Sequence, residues 1–182
     1  MIQDISPYRL DTAYRGTAPV PDDCFFSFRG EDVLLRDMGD GHRSLPSFRD
    51  LGHPAGKMES RAVFLFRAGR EPVYLLGQEV SGCRGLGYFP ICELKDVLPE
   101  WVFFAGATAL HLSRWYEGNR YCGRCGGRME RKPGQRTLAC PECGNTVYPG
   151  IAPVVMVAVT DGDRLLMTKY ADRSLPQWVL IS

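Results

Sequence analysis

The feature that most constrains this chain is the stretch YCGRCGGRMERKPGQRTLACPECGNTVYPG, residues 121–150. Cys122, Cys125, Cys140 and Cys143 form two C-x-x-C pairs with 14 residues between them, and a glycine follows each second cysteine, Gly126 and Gly144. A C-x-x-C turn brings two thiolates to one point and aims backbone N–H groups at the sulfurs. The glycine supplies the left-handed backbone that closes the turn. Pro133-Gly134 can turn a hairpin between the pairs, so that the two knuckles face each other. Four thiolates at about 2.3 Å from one ion then make the closed tetrahedral site of structural zinc. A redox C-x-x-C and two disulfides are the competing readings, and the doubled pairs with following glycines favour zinc. Such a site has no open coordination position, so it holds structure and does not activate water.

The same segment is basic. Between residues 118 and 148, Arg120, Arg124, Arg128, Arg131, Lys132 and Arg136 stand against Glu130 and Glu142, a net +4. Zinc with four thiolates contributes about −2, which leaves the folded module cationic. That charge favours a phosphate-bearing ligand, and it equally suits a solvated hairpin. The whole chain, at a formal +1, gives no comparable signal.

Seven cysteines, an odd number, argue against a secreted disulfide framework, and reduced thiols fit an intracellular, cytoplasmic setting. Cys24, Cys83 and Cys92 read as buried apolar thiols, with Cys83 and Cys92 as a possible redox pair. No apolar run approaches the ~20 residues of a membrane span. MIQDISPYRL lacks the basic-then-apolar pattern of a signal peptide.

Along the chain, residues 1–20 read as an extended arm. CFFSFRGEDVLLRD predicts two short strands around Gly30, RAVFLFRAGREPVYLLGQEV two more, and GLGYFPIC a fifth. LPEWVFFAGATALHLSRWYEGN predicts a helix that opens at Pro99 and ends at Gly118-Asn119. Trp101, Phe104, Ala105, Thr108, Leu112 and Trp115 fall on its core stripe. His111, with His42 and His53 in loops, makes three scattered histidines and no ligand pattern. After residue 148, YPGIAPVVMVAVT is a β-branched run, Asp161-Gly162 a hairpin turn, and RLLMTKY a returning strand.

The runs WYEGNRYCGRCG and CPECGNTVYPGIAPVVMVAV strongly resemble the NADH pyrophosphatases of the Nudix hydrolase superfamily. The likeness covers residues 97–181 well and 1–96 in general character. It implies an α+β chain: a β-rich N-terminal domain over 1–96, a connecting helix over 97–119, a four-cysteine zinc ribbon over 120–149, and over 150–182 the first strands of an incomplete Nudix α/β/α sandwich. The implied activity is cleavage of the pyrophosphate of NAD(H) to nicotinamide mononucleotide and AMP, with NAD-capped RNA a further substrate and a homodimer the working form. In that family Mg2+ or Mn2+ is held by the glutamates of a Nudix box. Clustered carboxylates are needed because hard cations must bridge the diphosphate oxygens.

The resemblance also implies that Cys122, Cys125, Cys140 and Cys143 are the zinc ligands. It implies that Tyr148 stacks on the substrate's base, and that Met156 lies on a pocket-lining strand, where the simpler reading is core. Gln135 stands where the family uses a glutamate to reach the substrate. CELKD, before the helix, shows no counterpart of the family's substrate-binding arginine. The 182 residues contain no Glu-Glu dipeptide, and LPQWVLIS ends the sequence inside what reads as a buried strand. The expectation is a chain cut before its Nudix box, itself without NADH-hydrolysing activity. The alternative is a non-catalytic zinc-ribbon module for nucleic-acid binding or dimer assembly.

Overall fold

The computed structural model describes residues 4–39, 41–52, 61–96, 98–169, 171 and 177–181. It is a mixed α+β molecule in two compact units, Met1–Pro149 and Gly150–Ser182.

The first unit is built on two sheets. Strands β1 (Leu10–Asp11), β6 (Ala62–Ala68), β7 (Glu71–Leu76) and β2 (Cys24–Phe26) form one, in the order β1-β6-β7-β2. Its pairings are antiparallel except β2 with β7, which is parallel. In the other sheet, β4 (Asp32–Gly39) pairs antiparallel with β3 (Phe28–Arg29), β5 (His42–Ser44) and β8 (Leu86–Pro90). The runs AVFLF and VYLL carry no polar alternation because both of their faces are buried. Val63, Leu65, Phe66, Val73 and Leu75 enter one core, while Phe64, Tyr74 and Leu76 enter a second with Phe25, Leu34 and Phe48.

Helix α1 (Glu100–Gly118) packs on the first of these cores through Val102, Ala105, Ala109, Leu110 and Leu112. Pro99 is its N-cap residue, and its carbonyl accepts from the Val102 N–H at 2.9 Å. Gly106 permits the close approach: a Cβ there would lie 3.3 Å from Ile91 Cδ1 and 3.4 Å from Phe26 Cε1. The predicted stripe is thus correct at Ala105, Leu112 and Trp115, and displaced at Trp101, Phe104 and Thr108, which are only half-buried. The N-terminal segment explains the shift. Tyr8 stacks on Trp101 with centroids 4.9 Å apart, and Tyr8 to Leu10 line an open groove with Phe104 and Thr108. Residues that expect the sheet meet the arm instead.

Three short strands follow, β9 (Glu130–Arg131), β10 (Leu138–Ala139) and β11 (Thr146–Val147), in the order β11-β10-β9. Their small core is Trp115, Cys122, Met129, Leu138 and Cys140, so the last turn of α1 supplies the largest side chain beneath the cysteines. Asn119 ends the helix with its backbone N–H and side-chain Nδ2 both on the Trp115 carbonyl, at 3.2 and 2.7 Å.

Among its described residues the second unit holds one small hairpin, β12 (Thr160–Asp161) with β13 (Arg164–Leu165), turned by Gly162 at φ +60°. Single bridges join Val157 to Ile181 and Thr168 to Val179. The long strands expected from YPGIAPVVMVAVT and RLLMTKY are therefore two-residue ladders. Met156, read as core, is 68% exposed. Among the described residues this hairpin is a single layer with no second apolar surface against it, and its β-branched residues face solvent. No described helix is long and apolar enough to cross a membrane.

Candidate metal centre

Each C-x-x-C closes on itself in the same way. In the first knuckle the Cys122 N–H donates to the Gly127 carbonyl at 2.8 Å, and the Gly126 N–H donates back to the Cys122 carbonyl at 2.9 Å. In the second, Cys140 donates to Asn145 at 2.8 Å and Gly144 donates to Cys140 at 3.0 Å. The returning donors are the two glycines, with φ +77° at Gly126 and +70° at Gly144, a region that penalises any Cβ. Two identical turns, brought together by β9 and β10, aim four thiol groups at one point.

All four Sγ atoms lie within 4.8 Å of one another. Cys122 and Cys143 are 3.6 Å apart, and Cys125 and Cys140 are 3.4 Å apart. A disulfide needs about 2.05 Å, whereas sulfurs about 2.3 Å from a tetrahedral zinc are separated by roughly 3.8 Å. The spacing fits ligands of one ion and not bonded pairs. Cys122 Sγ also accepts the Arg124 N–H at 3.4 Å and Asn145 Nδ2 at 3.5 Å. The N–H groups of Arg124 and Cys125 pull its pKa down to about 6. At Cys125 the Gly127 N–H acts in the same direction, but the neighbouring sulfurs of Cys140 and Cys143 outweigh it and push that thiol up to about 12. The Cys122 thiolate thus forms easily while the Cys125 thiol resists ionising beside its neighbouring sulfurs, and a cation at the centre would relieve that repulsion. Among the described residues this is the only cluster of three or more His, Cys, Asp or Glu side chains able to close on a metal.

The other candidates lie apart from it. Cys24 and Cys83 are half-buried; Cys92 is exposed, against the expectation of a buried thiol. His42 starts β5 instead of lying in a loop, His111 is exposed on α1, and His53 lies outside the described residues. Gln135 is exposed at the β9–β10 turn, and Tyr148, just past β11, is 61% exposed.

Sequence reasoning missed how the ribbon is held. Strand β1 pairs only with Arg67 and Ala68 of β6, leaving the edge from Ala62 to Phe66 without a strand on that side among the described residues. Two arginine side chains of the ribbon reach this edge. Arg131 Nη1 donates to the Ala62 carbonyl at 3.5 Å, and Arg136 Nη2 donates to the Leu65 carbonyl. Leu65 is the extra residue where the β6–β7 register shifts between Phe64 and Phe66, so the bulge turns its carbonyl toward the arginine. Arg136 is partly buried between Tyr14, whose ring centroid is 5.8 Å away, and Tyr116. Burial pushes the Tyr116 hydroxyl up to about 12. No spacing rule marks these arginines, because their partners are backbone atoms exposed by a bulge and a short neighbouring strand.

Residues 119–148 match the model of the NADH pyrophosphatase zinc ribbon domain. The four-thiolate geometry and this match together support structural zinc. The chain is also similar to curated relatives named NAD-capped RNA hydrolase NudC. With that of Deinococcus radiodurans it shares 32% identity over 145 residues, 78% of this chain and 47% of the relative. With those of Stutzerimonas stutzeri and Pseudomonas aeruginosa the identity is 35% over 103 residues and 32% over 102, in each case 54% of this chain and 36% of the relative. The chain thus spans about half the length of the first relative and about a third of the other two. The ribbon is the part of the molecule in which sequence, geometry and comparison coincide.

Proposed function

We propose that this chain is the N-terminal and zinc-ribbon portion of a Nudix hydrolase that adds water across the pyrophosphate of NAD(H), giving nicotinamide mononucleotide and AMP, and that NAD-capped RNA is a substrate of the same protein. The observation that carries the reading is the four-thiolate ribbon matched as that of the NADH pyrophosphatases, in a chain similar over 78% of its length to an NAD-capped RNA hydrolase. In this reading Cys122, Cys125, Cys140 and Cys143 hold one zinc, whose part is to fold the ribbon. Tyr148 offers an exposed aromatic face to a planar base, and Gln135 and Met156 are further substrate contacts. Mg2+ or Mn2+, held by carboxylates that these 182 residues do not supply, neutralises the charge of the diphosphate when bound. Four thiolates that must stay reduced suit the cytoplasm, and a homodimer is the expected assembly.

The test compares this chain with the protein read from its intact coding sequence. Each is incubated with NADH and manganese, and AMP is measured. The reading predicts AMP from the intact protein and none from the 182-residue chain. Failure of both to release AMP from NADH and nicotinamide mononucleotide from NAD-capped RNA contradicts it. The cationic ribbon favours a second reading, a non-catalytic zinc-ribbon module that binds nucleic acid. That reading predicts an intact sequence without a Nudix box.

A further inference from the structure

The first knuckle presents an aromatic ring and two cations that serve neither the metal site nor the docking of the ribbon. Tyr121 and Arg128 face each other in an antiparallel bridge. The flanking bonds run from Cys122 N–H to the Gly127 carbonyl at 2.8 Å and from Met129 N–H to the Arg120 carbonyl at 3.0 Å. This makes Tyr121 and Arg128 a non-hydrogen-bonded pair, with Cα atoms about 4.5 Å apart and side chains at their closest. Their neighbours Cys122 and Met129 are buried, so alternation turns Tyr121 and Arg128 outward. Tyr121 is 69% exposed, and Arg128 is exposed. Arg124, at the tip of the same knuckle, is exposed as well; its backbone N–H is spent on Cys122 Sγ.

The ribbon's cations therefore divide by task. Arg131 and Arg136 meet carbonyls of β6. Arg124 and Arg128 form no ion pair among the described residues. An exposed ring beside unpaired guanidinium groups is the pattern by which proteins hold single-stranded nucleic acid: the base stacks on the ring and the phosphates meet the cations. A second copy of this chain fits the face poorly, since a two-fold contact would bring arginine against arginine.

We propose that Tyr121, Arg124 and Arg128 form a contact for the single-stranded RNA chain itself, separate from recognition of any cap. The proposal rests on the reading of NAD-capped RNA as a substrate, and it names the surface that tells such an RNA from the free dinucleotide. Tyr121 stacks one base, and Arg124 and Arg128 each neutralise a backbone phosphate.

The experiment uses the zinc-loaded 182-residue chain and a fluorescent single-stranded RNA oligonucleotide without a cap, with anisotropy read across a salt series. Tyr121→Ala weakens binding by about 5- to 150-fold, the range for one base–aromatic stack, and Tyr121→Phe restores it. Arg124→Gln with Arg128→Gln lowers the slope of log K against log salt by about 1.4, roughly 0.7 per phosphate contact. Unchanged zinc content shows that each variant is folded. Binding that none of these substitutions alters, or no binding near 0.1 M salt, overturns the proposal. So does a dimer of the chain that the same substitutions dissolve, since the face would then belong to a second copy. Because the oligonucleotide has no cap, the outcome is separate from the hydrolase reading, which stands or falls on AMP release by the intact protein.

Discussion

Replacing Arg136 with Met tests how the ribbon is fixed to the β domain. The substitution keeps an unbranched apolar stem of similar reach and removes the donor to the Leu65 carbonyl. Leu65 is fully buried, so water cannot take the donor's place. An unpaired buried carbonyl costs about 1–3 kcal/mol. Part of this is returned, because Arg136 is a desolvated cation whose Nε has no partner among the described residues. The carbonyl term is the larger: the Leu65 carbonyl is wholly enclosed, while the guanidinium is only partly buried and keeps the Tyr14 ring beside it. The net loss expected is about 1–2 kcal/mol, or about 2–8 °C in Tm for a chain of this size. Thermal unfolding followed by circular dichroism at fixed zinc concentration reads it. Arg131→Gln, whose partner is 3.5 Å away at an exposed position, should change stability by less than about 0.5 kcal/mol. A Met variant as stable as the parent chain, or more stable, would refute the reasoning by showing that Arg136 is a desolvation burden and not a clamp.

Gly126→Ala places a Cβ at φ +77°, a strain of roughly 1–2 kcal/mol, and should weaken zinc retention against a competing chelator by about tenfold. The equivalent change at Gly123, which has no positive φ, should be mild in the same competition assay. Burial raises the Tyr116 pKa to about 12, so folding favours its neutral form. The stability this contributes is present below the ordinary value near 10 and is lost as pH rises toward 12. Tyr116→Phe should flatten that fall, as seen in unfolding midpoints measured from pH 9 to 12.

The zinc ribbon was legible because its information is chemical and local. Four cysteines, two following glycines and a Pro-Gly turn specify a cluster with little help from the rest of the chain. The strand-rich character of the first ninety residues was legible too, from apolar runs broken by turn residues. What could not be read was long-range. The helix buries Val102 and Ala109 in place of Trp101 and Thr108 because the N-terminal segment brings Tyr8 against Trp101, about ninety residues away in sequence. Arg136 looked like one more surface cation, since a carbonyl freed by a bulge at Leu65 leaves no mark in composition or spacing. Met156 and its β-branched neighbours carry the pattern of a covered strand, but burial depends on a second layer, and pattern alone does not supply one.

The central claim, a structural zinc on Cys122, Cys125, Cys140 and Cys143, is tested most directly by X-ray absorption at the zinc edge, with metal content measured on the same sample. The account predicts one zinc per chain in a shell of four sulfurs at about 2.3 Å, with zinc lost and the ribbon unfolded in Cys140→Ser. A metal-free folded chain, or a first shell containing nitrogen or oxygen in place of one of the sulfurs, would contradict it.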